Sequence, residues 1–227
     1  MFAYIPARAG SIRIKNKNIK NLYGKPILEI TINNLKKLKF IDNIFVSTDS
    51  LKIKKIAEKS GAKVLGVRDK KLSNSKAGTM DLIKYDIPRH CKFQNDKNVL
   101  FVHSTSILVK SEIYNICYKK FIKLKPNVLM PCNKSKPFWS LKKVGHSWKP
   151  IFPKLLKINS QNLPETVIDA GQFYFFNNDK VKRFDSIKNV ANTYVYPISD
   201  IYSVDVDTLE DWKDLKFKYN LLNKNEK

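Results

Sequence analysis

The sequence is short of acid, cysteine, histidine and long apolar runs. Only 20 aspartates and glutamates stand against 43 lysines and arginines, a formal net charge of +23. Cys91, Cys117 and Cys132 are odd in number and far apart, with no CxxC pair. His90, His103 and His146 have no ligand spacing. A thiol metal site or a disulfide framework is therefore not expected, and three reduced, mostly structural cysteines are. No apolar run approaches the roughly 20 residues of a membrane-spanning helix. The N-terminus has no charged n-region followed by an apolar stretch, so it is not read as a signal peptide, and a cytoplasmic location is expected. No internal repeat or low-complexity tract is present.

The cation excess raises the thought of a nucleic-acid binder. The lysines, however, are spread evenly from Lys15 to Lys227, with no concentrated basic arm and no aromatic–basic repeat. This is the pattern of a solvated, lysine-rich face. Specific nucleic-acid binding is not expected, but the field attracts anionic small molecules.

What is there is enough for one domain. The chain has 227 residues, 43% of them hydrophobic, and a chain of that length buries about 70% of its unfolded surface. Strand and helix signals alternate. Residues 2–5 read as a strand. Residues 26–40 carry Ile27, Ile30, Leu35 and Leu38 near helical spacing. A strand at 43–46, a helix at 52–60 stopped by Gly61, and a strand at 62–67 follow. A helix at 76–85 is limited by Pro88, and strands at 99–103 and 128–132 flank a helix at 111–124. Strands at 167–176, 194–198 and 202–206 precede a last helix from 208 to 222, opened by a capping box with aspartate in place of glutamate (Thr208, Asp211). The six-residue tail LNKNEK is expected to fray. Alternation of this kind predicts an α/β domain with a largely parallel sheet, whose ligands sit outside the carboxyl ends of the strands. The opening loop, STDS (47–50) and HSTS (103–106) lie at such ends. Residues 133–164 break the rhythm with four prolines, Trp139, Trp148 and Phe152. A β-rich flap, or an arm packing on a partner subunit, is predicted there.

Two motifs carry chemistry. The first is the start of the chain, MFAYIPARAGSIRIKNKN, where a strand opens into a loop holding Arg8, Arg13, Lys15 and Lys17. Backbone N–H groups after a strand, with cations, make a concavity suited to phosphate. The pattern is neither GxxxxGK[ST] nor GxGxxG, and the competing reading is a cationic surface turn. The second is VDVDTLEDW. Asp205 and Asp207, one residue apart at the end of an apolar stretch, point the same way if that stretch is a strand. Two close carboxylates raise each other's pKa unless a cation lies between them. A hard ion such as Mg²⁺ relieves this. The competing reading is a pair of helix-capping acids. Together, a cationic loop early and a carboxylate pair late are the parts of a metal-dependent nucleoside triphosphate site.

PARAGS, KN at 17–18, GKPIL (24–28), VSTDS (46–50), DAGQFYF (169–175) and VDVDT (204–208) occur in the order and spacing of CMP-sugar synthetases. The chain resembles this family, the cytidylyltransferases of nine-carbon acidic sugars, over almost its whole length. DAGQFYF, and Gly78-Thr79 after VRDKKLS, are most similar to the pseudaminic acid branch. The resemblance implies a Rossmann-like three-layer nucleotidyltransferase fold in a single domain, 1–227, with a dimerisation excursion at 133–164. It places Arg8, Ser11, Lys17 and Asn18 on the triphosphate of CTP, with Arg13 able to assist. It places Arg68 at the cytosine edge and backbone near Ala7 at the cytosine amino group. Gln172 and Tyr174 would face the sugar, and Asp205 and Asp207 would hold Mg²⁺. Arg8, Lys17 and Asp207 are the residues expected to carry catalysis. The implied partners are CTP, a nine-carbon α-keto acid and a second copy of the chain. Legionaminic or N-acetylneuraminic acid, or another base, are the alternatives for the substrates. A nucleotide-binding homologue without turnover is the alternative for the activity. Asp49 is open between capping a turn and a metal role.

Three positions depart from the family pattern. Ile12 stands where a lysine follows the loop serine, Asp69 where a proline follows the arginine, and Thr105-Ser106-Ile107 where TxP closes the central strand. Isoleucine supplies no charge, and Arg13 or Lys15 is long enough to reach the same oxygens.

Overall fold

The computed structural model describes residues 1–11, 13–74, 76–92 and 97–224. Ile12 and the end of the expected frayed tail, 225–227, lie outside them. Eleven strands are found among the described residues. They are β1 (Phe2–Pro6), the small hairpin β2 (Asn21–Leu22) and β3 (Lys25–Pro26), β4 (Asn43–Ser47), β5 (Asn98–Val102) and β6 (Val128–Ser135). A second hairpin, β7 (Leu141–Val144) and β8 (Ser147–Pro150), is followed by β9 (Thr166–Asp169), β10 (Phe173–Asn177) and β11 (Thr193–Pro197). The helices are α1 (Ile27–Leu35), α2 (Leu51–Lys59), α3 (Thr79–Asp81), α4 (Ile87–Cys91), α5 (Ser111–Leu124), α6 (Asn178–Val181) and α7 (Leu209–Lys224).

The main sheet has the order β11-β6-β10-β5-β1-β4, with β9 paired to β6. β4, β1 and β5 are parallel neighbours, as are β6 and β11. β10 lies between the two groups and runs against both. The strands are continuous apolar runs because both faces of the sheet are covered. Along β1, Ala3 and Ile5 point into one core and Phe2 and Tyr4 into the other. The first core packs against Leu28, Ile32 and Leu35 of α1, Ile53 and Ala57 of α2, and Tyr114, Cys117 and Phe121 of α5. The second packs against Leu82, Ile83 and Ile87 of the 79–91 region. A third cluster joins Ile14 of the opening loop to Val204, Val206 and the Trp212 and Leu215 face of α7, which brings the two ends of the chain together. This is the three-layer α/β arrangement expected. All three cysteines are buried thiols.

Four elements differ from the sequence-based expectation. Residues 62–67 make only isolated bridges, Phe45 to Lys63 and Thr48 to Val67, and no strand. The helix expected at 76–85 starts at Thr79 and continues past Pro88 to Cys91. It does so through a π turn at Leu82–Asp86, which ends two positions before Pro88. A wider turn there relieves the clash and the missing donor that a proline brings to a regular helix. The strand expected at 167–176 is two strands, split where Gly171 adopts φ +64°. Residues 202–206 form no strand at all, only a 3₁₀ turn followed by extended chain. The 133–164 segment holds the β7–β8 hairpin, turned by Gly145 at φ +61°, and 3₁₀ turns at Pro153–Lys157 and Ser160–Asn162.

Candidate active site

The opening loop is held by three strand ends. Ala7, buried just beyond β1, donates its N–H to the Ser47 carbonyl at 2.8 Å. Ala9 N–H donates to Asp49 Oδ1 at 2.8 Å, so the Asp49 carboxylate caps this loop. The Asn18 side-chain amide donates to the Arg8 carbonyl at 2.7 Å and its oxygen accepts from the Ser104 hydroxyl at 2.6 Å. Asn18 thus shapes the loop from beneath with both ends of its amide engaged. Asn16 turns the chain with φ +57° into the 3₁₀ turn that carries Lys17.

The two ends of the chain meet here. Lys17 Nζ donates to the Val206 carbonyl at 2.7 Å and lies 3.3 Å from Asp207 Oδ1. Arg13 reaches the other oxygen, Asp207 Oδ2, at 2.8 Å. The capping box is formed as expected, with both Asp207 N–H and Thr208 N–H donating to Asp211 Oδ2, and Asp211 N–H to Thr208 Oγ1. Asp207 is therefore free of capping duty and turns its carboxylate to the cations. A cleft of about 540 Å³ opens at this point. Arg8, Ser11, Arg13, Lys17, Asn18 and Asp207 line it together with Gly78, Thr79, Phe101 and His103. Arg8 Nη1 donates to the Asn74 carbonyl at 2.6 Å.

Arg68 lines the same cleft, although only 4% of it is exposed. Its Nε donates to Ser73 Oγ at 3.2 Å, while Nη1 is buried with no partner among the described residues. An unsatisfied buried donor costs about 1–3 kcal/mol, and an acceptor from a bound ligand would satisfy it.

Asp205 lies beside this group. Burial, and next the charge of Asp207, push its carboxyl above the ordinary aspartate value. Among the described residues, no cluster of three or more histidines, cysteines and acids is arranged to hold a metal. Two hard, mutually repelling oxygens fit Mg²⁺ nonetheless, because that ion is usually held by one or two carboxylates together with phosphates and water.

Gln172 and Tyr174 do not face the cleft as expected. Gln172 is fully buried, and its amide nitrogen donates to the Ala170 and Val204 carbonyls at 2.9 and 3.1 Å. Tyr174 is 4% exposed and donates its hydroxyl to Asp169 Oδ2 at 2.7 Å. Tyr174 lies inside β10, where alternation sends Phe173 and Phe175 into the first core and Tyr174 and Phe176 into the second, and Gln172, beside the Gly171 turn, is held by its bonds to the Ala170 and Val204 carbonyls.

His103 was not singled out by any spacing, and it is the group that sequence reasoning missed. Its only signal is its place in HSTS at a strand end. Burial pushes its imidazole down to about 4, Lys17 and Lys188 push the same way, and Asp169 opposes them. It is neutral at physiological pH. Because the folded value lies below the unfolded one, its contribution to stability is complete above about pH 6.5 and is lost as pH falls toward about 4. One such group is expected to remove roughly 2 kcal/mol of stability by about pH 5. His90, also lowered by burial, adds to the loss. Urea unfolding at about pH 7.5 and pH 5 checks this, and His103→Gln is expected to flatten the difference. An equal fall in that variant contradicts the assignment.

The family model described as Cytidylyltransferase matches residues 2–125. The chain is 30% identical to the pseudaminic acid cytidylyltransferase of Campylobacter jejuni, over 96% of this chain and 95% of that protein. It is 30% identical to the CMP-N,N'-diacetyllegionaminic acid synthase of Legionella pneumophila, over 93% of each. Among solved structures it is similar in fold to CMP:2-keto-3-deoxy-manno-octonic acid synthetase complexed with CTP, with a TM-score of 0.70, 14% identity and 98% of each chain covered. A cytidylyltransferase from Leptospira borgpetersenii aligns with a TM-score of 0.64 and 19% identity, over 99% of this chain and 94% of that one.

Proposed function

The chain belongs to the cytidylyltransferase family, and on that premise we propose that it couples CTP to a nine-carbon α-keto acid sugar, pseudaminic acid in the first place. The observation that carries this reading is the pairing of Lys17 and Arg13 with Asp207 across the length of the chain, on the rim of a cleft that also holds Arg8, Ser11 and Arg68. Such a cleft offers cations to a polyphosphate and the Asp207 carboxylate, with Asp205 close by, to a divalent ion.

In the proposed reaction the anomeric hydroxyl of the sugar attacks the α-phosphorus of CTP. A new P–O bond forms, the bond to the bridging oxygen breaks, the hydroxyl proton is released and pyrophosphate leaves. Arg8, Ser11 and Lys17 hold the departing phosphates, where negative charge grows. Arg8 exchanges the Asn74 carbonyl for a phosphate oxygen. Arg68 Nη1 takes an acceptor of the cytosine ring. Asp205 and Asp207 would hold Mg²⁺, which would offset charge on the phosphates when bound. Asn18 and Asp49 keep the loop in shape, so the donors need no rearrangement as the charge develops.

Arg68→Met is expected to raise the KM for CTP by roughly tenfold with kcat little changed, since it removes a ground-state contact. Initial rates against CTP measure it, and an unchanged KM contradicts the role. The sugar is tested by pyrophosphate release from CTP with purified pseudaminic, legionaminic and N-acetylneuraminic acids. Pseudaminic acid is expected to give the highest kcat/KM, and a higher value for either of the others would reassign the substrate.

The reading extends to assembly and place. Trp139, Trp148, Phe152 and Ile168 are 40–62% exposed on and beside the 133–164 excursion, and a second copy of the chain is proposed to cover them. Sedimentation at micromolar concentration should give a dimer, and a monomer would contradict it. No helix among the described residues is long and apolar enough to cross a membrane, and the cytoplasm, where CTP is made, is the proposed location.

A further inference from the structure

The segment that carries Asp205 and Asp207 has no strand partner among the described residues, although its sequence reads as a strand. Side chains hold it in place instead. Lys218 Nζ donates to the Ser203 carbonyl at 3.2 Å, and the Ser203 hydroxyl donates to Asn133 Oδ1 at 3.0 Å. Lys17 holds the Val206 carbonyl at 2.7 Å. At the centre, Gln172 holds the Val204 carbonyl at 3.1 Å. Gln172 is itself tied to the sheet edge, because its own carbonyl accepts from the Ser106 hydroxyl at 2.6 Å and from His103 N–H at 3.0 Å.

Two details separate a positioning role from simple packing. Gln172 is fully buried and its Oε1 has no partner among the described residues. A buried amide with an unsatisfied oxygen is a poorer filler than an apolar side chain of the same shape. Its donor end therefore supplies something packing does not. Next to it, Gly171 adopts φ +64°, and a Cβ there would lie 3.6–3.7 Å from the Asp205 carboxylate. The 170–172 turn thus touches the carboxylate segment through the Gln172 side chain and leaves room beside Asp205 that a side chain at 171 would fill.

We infer that Gln172 is a positioning residue that sets the Asp205–Asp207 carboxylates against the phosphate loop. This rests on the reading of those carboxylates as the Mg²⁺ ligands of a CTP site. Residues that orient metal ligands from behind typically change metal affinity by about 10–100-fold when replaced. The test uses the full chain, Mn²⁺ as the probe and the non-reacting analogue α,β-methylene-CTP, with binding followed by electron paramagnetic resonance. Gln172→Met is expected to weaken Mn²⁺ binding about tenfold or more. Metal-free affinity for the analogue, measured by calorimetry, should change by less than about twofold. Gly171→Ala should move Mn²⁺ binding in the same direction through an independent contact. If Gln172→Met does not fold, Ser106→Ala loosens the same joint and should weaken Mn²⁺ binding as well. Wild-type Mn²⁺ affinity in the folded variants overturns the inference, even if their thermal midpoints fall. A wild-type protein that makes CMP-sugar while these variants keep its metal affinity sinks this inference and leaves the activity standing. A wild-type protein that binds Mn²⁺ and the analogue tightly, loses that Mn²⁺ affinity in the variants and turns over no sugar sinks the activity and leaves this inference standing.

Discussion

Replacing Asp207 by asparagine should lower the rate of CMP-sugar formation by about 10²-fold or more, as for loss of a central electrostatic group. The side chain keeps its volume and loses only its charge. Both of its oxygens are engaged by cations, Lys17 at 3.3 Å and Arg13 at 2.8 Å. Without the carboxylate, these cations lose their anchor and the proposed metal loses a ligand. The fold should survive, because the start of α7 is capped by Thr208 and Asp211 and does not depend on the Asp207 side chain. Pyrophosphate release at saturating CTP and sugar measures the rate, and thermal unfolding checks the fold. A variant that stays folded with near-normal output would remove Asp207 from the mechanism.

Lys17→Met should be comparably severe, with kcat/KM for CTP down by about 10²–10³-fold. Lys17 is the link between the phosphate loop and the carboxylate segment, since it both donates to the Val206 carbonyl and pairs with Asp207. Methionine keeps the apolar stem and removes the charge and the hydrogen bond. Arg13 is a poor substitute, because it is 66% exposed and reaches Asp207 from the solvent side. Exposed ion pairs of that kind are worth roughly 0–1 kcal/mol. Arginine at position 17 should restore only part of the activity, because its planar fork does not reproduce a point charge. Initial rates over a range of CTP concentrations separate the effects on kcat and KM. A loss of less than about fivefold would show that the contact is structural.

Much of this site was legible in the residues themselves. The cationic loop follows directly from an apolar strand that opens at Ala7, and the parallel sheet follows from the strand–helix alternation. The meeting of Lys17 with Asp207 could be anticipated because ligands gather at the carboxyl edge of such a sheet. The capping box at Thr208 and Asp211 is a local pattern and was read correctly for that reason.

What was missed depended on tertiary context. Residues 202–206 have the alternation of a strand, but a strand needs a neighbour to pair with, and here side chains take the backbone bonds instead. Both faces of β10 are covered, so Tyr174 packs into the second core, and Gln172 is taken up by the Ala170 and Val204 carbonyls; neither is announced by DAGQFYF. Pro88 read as a helix stop, yet a π turn carried the helix through it. His103 became part of the cleft only because β5 ends beneath it. Asp49 was open between two roles, and the bond from Ala9 N–H gives it the loop.

The most direct measurement is product analysis after mixing the protein with CTP, Mg²⁺ and pseudaminic acid, by mass spectrometry and ³¹P spectroscopy. The account predicts one CMP-sugar and one pyrophosphate for each CTP consumed. CTP that binds tightly yet remains intact, with this acid and with legionaminic and N-acetylneuraminic acids, would contradict it.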